Sequence, residues 1–122
     1  MKNMTPHVIS IYSADSATYD AANRKYFLKD GAQPVLTIPP SGELLNAKSV
    51  QVEQNPIDGV PIKAVQWTVD NFNPEPGVYY IVSALFKSAY NGPNKGQLLT
   101  VGDPVYADPS NPRPMGCLFL AQ

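Results

Sequence analysis

The chain has 122 residues, the length of one ordinary domain with a single core. Nine Lys and Arg stand against ten Asp and Glu, for a net charge of −1, so nothing builds the positive field that phosphates require, and no nucleic-acid partner is expected. No stretch approaches the roughly 20 apolar residues that cross a bilayer, so no membrane partner is expected either. Only 16% of the residues are charged, against a usual quarter, which leaves Tyr, Asn and Gln as surface groups and suits a protein that works against another surface.

The opening M-K-N-M-T-P-H-V-I-S-I-Y has no long apolar run and no small-residue cleavage site, so no signal peptide is expected. Thirteen prolines and eight glycines are spread along the whole length and cut it into short segments rich in Val, Ile, Tyr and Phe. In chain order these segments predict strands over 7–12, 25–29 (closed by Asp30-Gly31), 35–38 (stopped by Pro39-Pro40), 48–53 and 62–69. In 48–53, Val50 and Val52 point inward; in 62–69, Val65, Trp67 and Val69 share one face and Trp67 reads as core. A turn at 55–59 joins these two. Strands follow over 78–86, 97–101, 104–107 and 116–120, with Gly102-Asp103 splitting the second pair. Short helical turns are expected from Ser16 to about Asn23 and from Ser41 to Leu45, each with a serine as cap. About eight short strands at this spacing predict an all-β fold, an antiparallel β-sandwich of jelly-roll type, in one domain over 1–122.

No catalytic signature is present. His7 is the only histidine and Cys117 the only cysteine, so neither a zinc site nor an internal disulfide can form within the chain. Cys117 lies among Gly116, Leu118, Phe119 and Leu120 and reads as a small buried hydrophobe. The acids are scattered through turns; D-N-F-N-P-E (70–75) breaks the alternation of a calcium loop at Phe72. G-P-N-K-G-Q (92–97) lacks the phosphate-loop pattern and reads as a hairpin loop. No enzyme activity, cofactor or metal is expected. Exposed aromatics remain as sugar platforms, with Trp67, Tyr79, Tyr90 and Tyr106 as candidates.

Two segments point to association. V-Y-Y-I-V-S-A-L-F (78–86), read as a strand, is apolar on both faces, with Val78, Tyr80, Val82, Ala84 and Phe86 on one and Tyr79, Ile81, Ser83 and Leu85 on the other. A-D-P-S-N-P-R-P (107–114) is a stiff, extended segment poor in backbone donors. In its overall plan the chain resembles the small capsid decoration, or cement, proteins of tailed bacteriophages. The shared features are a short β-only chain, proline-punctuated strands, an apolar strand and an extended proline-rich segment. That resemblance implies a virion structural protein, made in the host cytoplasm, that self-associates as a dimer or trimer and stabilises an assembled shell by binding a capsid shell protein. The contact residues expected on this reading are Tyr79, Ile81 and Leu85 on the second face, with Pro109, Pro112 and Arg113 in the extended segment. The alternative is a small carbohydrate-binding β-sandwich of a tail or fibre.

Overall fold

The computed structural model describes residues 1–122, and strands carry the architecture. They are β1 (Lys2–Asn3), β2 (Ile9–Ile11), β3 (Ala17–Asp20), β4 (Lys25–Leu28), β5 (Leu36–Ile38), β6 (Ala47–Ile57), β7 (Val60–Val69), β8 (Tyr80–Ile81), β9 (Leu98–Tyr106) and β10 (Gly116–Ala121). One helix, α1 (Ala84–Ala89), and two 3₁₀ turns, at Ala14–Ser16 and Lys95–Gln97, complete the chain. The all-β class is the one expected. The sheet is mixed rather than antiparallel, because β1 with β8, β8 with β9, β4 with β9 and β2 with β10 all run parallel.

β9 is the spine of the main sheet. One of its edges takes β8 at Leu98 and Leu99 and β4 at Val105 and Tyr106; the other takes β10 from Thr100 to Val105. The expected break at Gly102-Asp103 does not occur. A Cβ at residue 102 would overlap the Phe119 ring, so glycine lets the ring lie over the strand, and Asp103 takes a positive φ of 45° without ending the pairing. The strand order is β1-β8-β9-β10-β2-β5. Its two ends are tied by a side chain. Asn3 is buried, and its amide nitrogen donates to the carbonyls of Ile38 (3.1 Å) and His7 (2.7 Å) while its oxygen accepts from the Thr5 backbone N–H and hydroxyl. Every polar atom of this buried amide is therefore used.

The segment read as one strand over 78–86 is the main correction. Only Tyr80–Ile81 pairs; the chain then turns into α1. Ser83 caps the helix by accepting from the Phe86 N–H at 3.1 Å, and Ala84, Leu85 and Lys87 are good helix formers. Val82, Phe86 and Tyr90 recur every four residues, so helical spacing gathers them on one face. They pack with Met4, Tyr80 and Leu98 as the core, and Phe86 stacks on Tyr90 with ring centres 6.1 Å apart. Phe72 sets its ring edge-on to Tyr80 at 4.9 Å and closes one side of this cluster.

Neither expected helical turn forms. Residues 17–20 instead pair with 25–28 as a hairpin, fixed by an edge-to-face contact of Tyr19 and Tyr26 and by Asp20, which accepts from the Ala22 and Asn23 N–H groups in the turn. Around residues 41–45, the Ser41 and Leu45 N–H groups donate to the carbonyls of Asn3 and Met4, so the chain at 3–4 takes the Leu45 donor that a helical turn from Ser41 would have used.

Candidate functional site

The chain's most exposed element is the hairpin of β6 and β7. Asp58 and Gly59 both take positive φ (50° and 76°) between Ile57 and Val60, the geometry of the two-residue turn that matches strand twist. The register runs from Ala47 opposite Val69 to Ile57 opposite Val60, with one irregularity between Gln54 and Ile57 at Asn55-Pro56. Ten residues of strand at 3.3 Å each give a ribbon about 33 Å long. It pairs with no other strand, so both outer edges are free. Every residue from Lys48 to Val60 is exposed.

The register explains why the chain cannot bury this ribbon by itself. Directly paired residues share a face. Val50 is opposite Gln66, Val52 opposite Ala64 and Gln54 opposite Ile62, so one face carries Val50, Val52, Ala64 and Ile62. Ser49 is opposite Trp67 and Gln51 opposite Val65, so Trp67, Val65 and Val69 lie on the other. The ribbon is apolar on both sides, and one layer of protein could cover only one of them. The expectations that Val50 and Val52 point inward and that Trp67 is core are corrected on this ground: they are 46%, 41% and 45% exposed. A single cross-strand ion pair, Lys63 to Glu53 at 3.9 Å, lies near the outer half, and at such exposure it contributes no more than about 1 kcal/mol.

The whole molecule reflects this. Its accessible surface is 8114 Å². A compact monomer of 13.3 kDa exposes about 6,450 Å², so the chain carries roughly a quarter more surface than its mass requires.

Helix α1 and the 89–93 loop stand beside the base of the ribbon. Between them lies a cleft of about 640 Å³ lined by Trp67, Asp70, Asn71, Asn73, Tyr90 and Asn91, among others. Leu85, half exposed, shares a smaller hollow with Trp67. The residues expected as contacts therefore separate. Tyr79 and Leu85 are exposed, but Ile81 is completely buried between β1 and β9 and belongs to the chain's own interior. The three do not share an outer face, because the strand that would have aligned them ends at Ile81. Pro109, Pro112 and Arg113 are exposed in the loop between β9 and β10. Asp108 orders that loop, accepting from the Ser110 hydroxyl and N–H and from the Asn111 N–H. These bonds, led by the Ser110 hydroxyl, hold its carboxyl below the usual aspartate range.

The remaining chemistry-bearing groups do not converge. Cys117 is buried, and burial pushes its thiol up. His7 is exposed, and no group of three His, Cys, Asp or Glu side chains is placed to hold a metal ion. No helix is long and apolar enough to cross a membrane. The sequence does contain a signal for the ribbon. With Val50 and Val52 on one strand and Val65, Trp67 and Val69 on the next, the two-residue turn alone would carry Ile57 opposite Val60 on to Val50 opposite Trp67 and put both apolar sets on one face. Pro56, which cannot donate to the ladder, marks the irregularity that shifts the register by one and sends the two sets to opposite faces. Comparison of the chain with protein-family models, with curated proteins and with solved structures finds no match.

Proposed function

We propose that this chain is a structural assembly protein, a virion component that binds and stabilises an assembled capsid shell, with the β6–β7 ribbon as its principal contact element. The observation that carries this reading is the uncovered ribbon, apolar on both faces and bare along both edges. A two-stranded ribbon is marginal alone and gains independent stability when a third strand or a packed layer joins it. Each large apolar side chain moved out of water there contributes about 1.5–3 kcal/mol. Val50, Val52, Val65 and Trp67 are enough for firm association. A protein that binds only the assembled shell stabilises it by mass action, with no chemical step. Exposed Tyr79, Leu85 and Arg113 remain as secondary contacts, and the forked guanidinium of Arg113 suits a partner carboxylate.

The test is co-sedimentation of the purified chain with empty capsids of a panel of tailed bacteriophages. Saturable binding to one of them, weakened by Trp67→Ala or Val65→Asp, is the expected result. A chain that stays in the supernatant throughout overturns the reading.

One observation favours a second reading. Trp67 presents its ring at a cleft edged by Asp70, Asn71, Asn73 and Asn91. An aromatic face with amide and carboxylate partners around it suits a sugar ring. A glycan array with a hit lost in Trp67→Ala would support carbohydrate binding; a blank array removes it.

A further inference from the structure

The reading above leaves open what lies along the outer edge of β6. We infer that a second copy of this chain does, with β6 pairing antiparallel to β6 about a two-fold axis at Gln51. The inference rests on the assembly reading in one respect, that the ribbon is covered in the working protein; its occupant is argued separately.

Three observations select the occupant. First, β6 is the barer of the two strands. All residues from Lys48 to Ile57 are exposed, whereas β7 has Ile62, Ala64 and Val69 partly buried; α1 lies near the base of both strands, more closely on β7, and the 89–93 loop lines the cleft with residues of β7. Its edge is free of proline from Ala47 to Asn55, nine residues; Pro56 and the irregularity beside it end the pairing surface before the tip.

Second, the sequence of β6 is self-complementary about Gln51. An antiparallel register centred there sets Val50 opposite Val52 of the second copy, Ser49 opposite Glu53, Lys48 opposite Gln54 and Gln51 opposite itself. No like charges meet. The valines face each other on one side, flanked by the Lys48–Gln54 pairs, while Ser49, Gln51 and Glu53 meet on the other, and side chains keep their faces across the junction. A slip by one residue would set Val50 and Val52 on the side where the second copy's β6 carries Ser49, Gln51 and Glu53, and a slip by two would set Lys48 or Gln54 opposite a valine, so the register is specified. The product is a four-stranded sheet, β7-β6-β6-β7, with Val50, Val52, Ala64 and Ile62 of both copies in one continuous apolar layer.

Third, the chain carries surface in excess, from which an interface can be drawn. The surface beyond that of a compact monomer of this mass, about 1,650 Å², is roughly twice what one partner gives to a standard interface, about 800 Å². A long exposed edge with alternating apolar side chains is the feature that proteins otherwise guard against; here it is kept, and its only charges are Lys48 and Glu53.

The test is site-directed cross-linking. Gln51→Cys lies on the axis and is expected to form an intermolecular disulfide on mild oxidation; Gln54→Cys, facing Lys48, is expected to stay uncross-linked, and buried Cys117 does not compete. As a second arm, Val50→Lys with Val52→Lys places lysine opposite lysine and is expected to leave a folded monomer by light scattering and circular dichroism. Val50→Glu with Val52→Lys restores opposite charges and is expected to restore the dimer. A Gln51→Cys chain that does not cross-link, or a double-lysine chain that remains a dimer, overturns the inference. A double-lysine monomer that still co-sediments with capsids supports both self-pairing and an independent shell contact. Cross-linking through Gln51→Cys without binding to any capsid keeps self-pairing and overturns the shell reading.

Discussion

The two accounts of residues 78–86, one strand or a short strand followed by a helix, differ in what they assign to Ile81 and Leu85. As one strand, both residues lie on a single outer face and their truncation should cost about the same. In the structure Ile81 is completely buried, paired through its backbone with Asn3 and Leu99, and Leu85 is half exposed on α1. Truncation of a buried Ile to Ala costs about 2–5 kcal/mol, and full burial places Ile81→Ala near about 4 kcal/mol. Leu85→Ala removes exposed methyl groups from a helix and should stay within about 0.5 kcal/mol. With a urea slope of about 2 kcal/mol per molar for a domain of this size, Ile81→Ala should lower the unfolding midpoint by about 2 M and Leu85→Ala by no more than about 0.3 M. Far-UV circular dichroism in urea, at one fixed protein concentration so that assembly contributes equally, measures both. Equal shifts for the two variants would refute the reasoning and return Ile81 to an outer face.

Three further outcomes follow from the same structure. Ser83→Ala removes the acceptor of the Phe86 N–H and should destabilise the chain by about 1 kcal/mol in urea, with Ser83→Asp recovering most of it. Asn3→Leu leaves the Ile38 carbonyl and the Thr5 N–H without their partner in a buried place and should cost about 2–3 kcal/mol by the same measurement. The Cys117 thiol should resist a soluble disulfide reagent at neutral pH until denaturant is added. Because burial raises its pKa, the thiol's contribution to stability is fully present below the pKa of the unfolded thiol and falls at more alkaline pH, where the unfolded thiol ionises first. Rapid labelling in the native protein would contradict its placement.

Much of the fold is legible in the sequence. The aliphatic and aromatic segments around 9–11, 25–28, 36–38, 47–57, 60–69 and 116–121 form strands close to where composition and turn residues place them. What the alternation hides is a local decision at Ser83. V-Y-Y-I-V reads as a strand from its β-branched and aromatic residues, but V-S-A-L-F-K-S-A-Y also spaces Val82, Phe86 and Tyr90 by four, and the cap at Ser83 decides for the helix. Residues 17–20 go the other way, because tertiary pairing of Tyr19 with Tyr26 outweighs a weak capping signal. The expected association surface moves for a related reason. At 78–86 the two-sided apolar character belongs to a strand and a helix read as one element, and the ribbon that carries it on both faces is β6–β7. Alternation within one strand tells which residues share a face; only the register between two strands tells whether two apolar sets fall on the same side.

The central claim is that the β6–β7 ribbon is covered by a second copy of this chain in the working molecule. Light scattering coupled to size exclusion, on the full chain at micromolar concentration, tests it most directly. The account gives a particle of twice 13.3 kDa that reverts to 13.3 kDa in the Val50→Lys, Val52→Lys variant. A native chain that runs at 13.3 kDa throughout would contradict it.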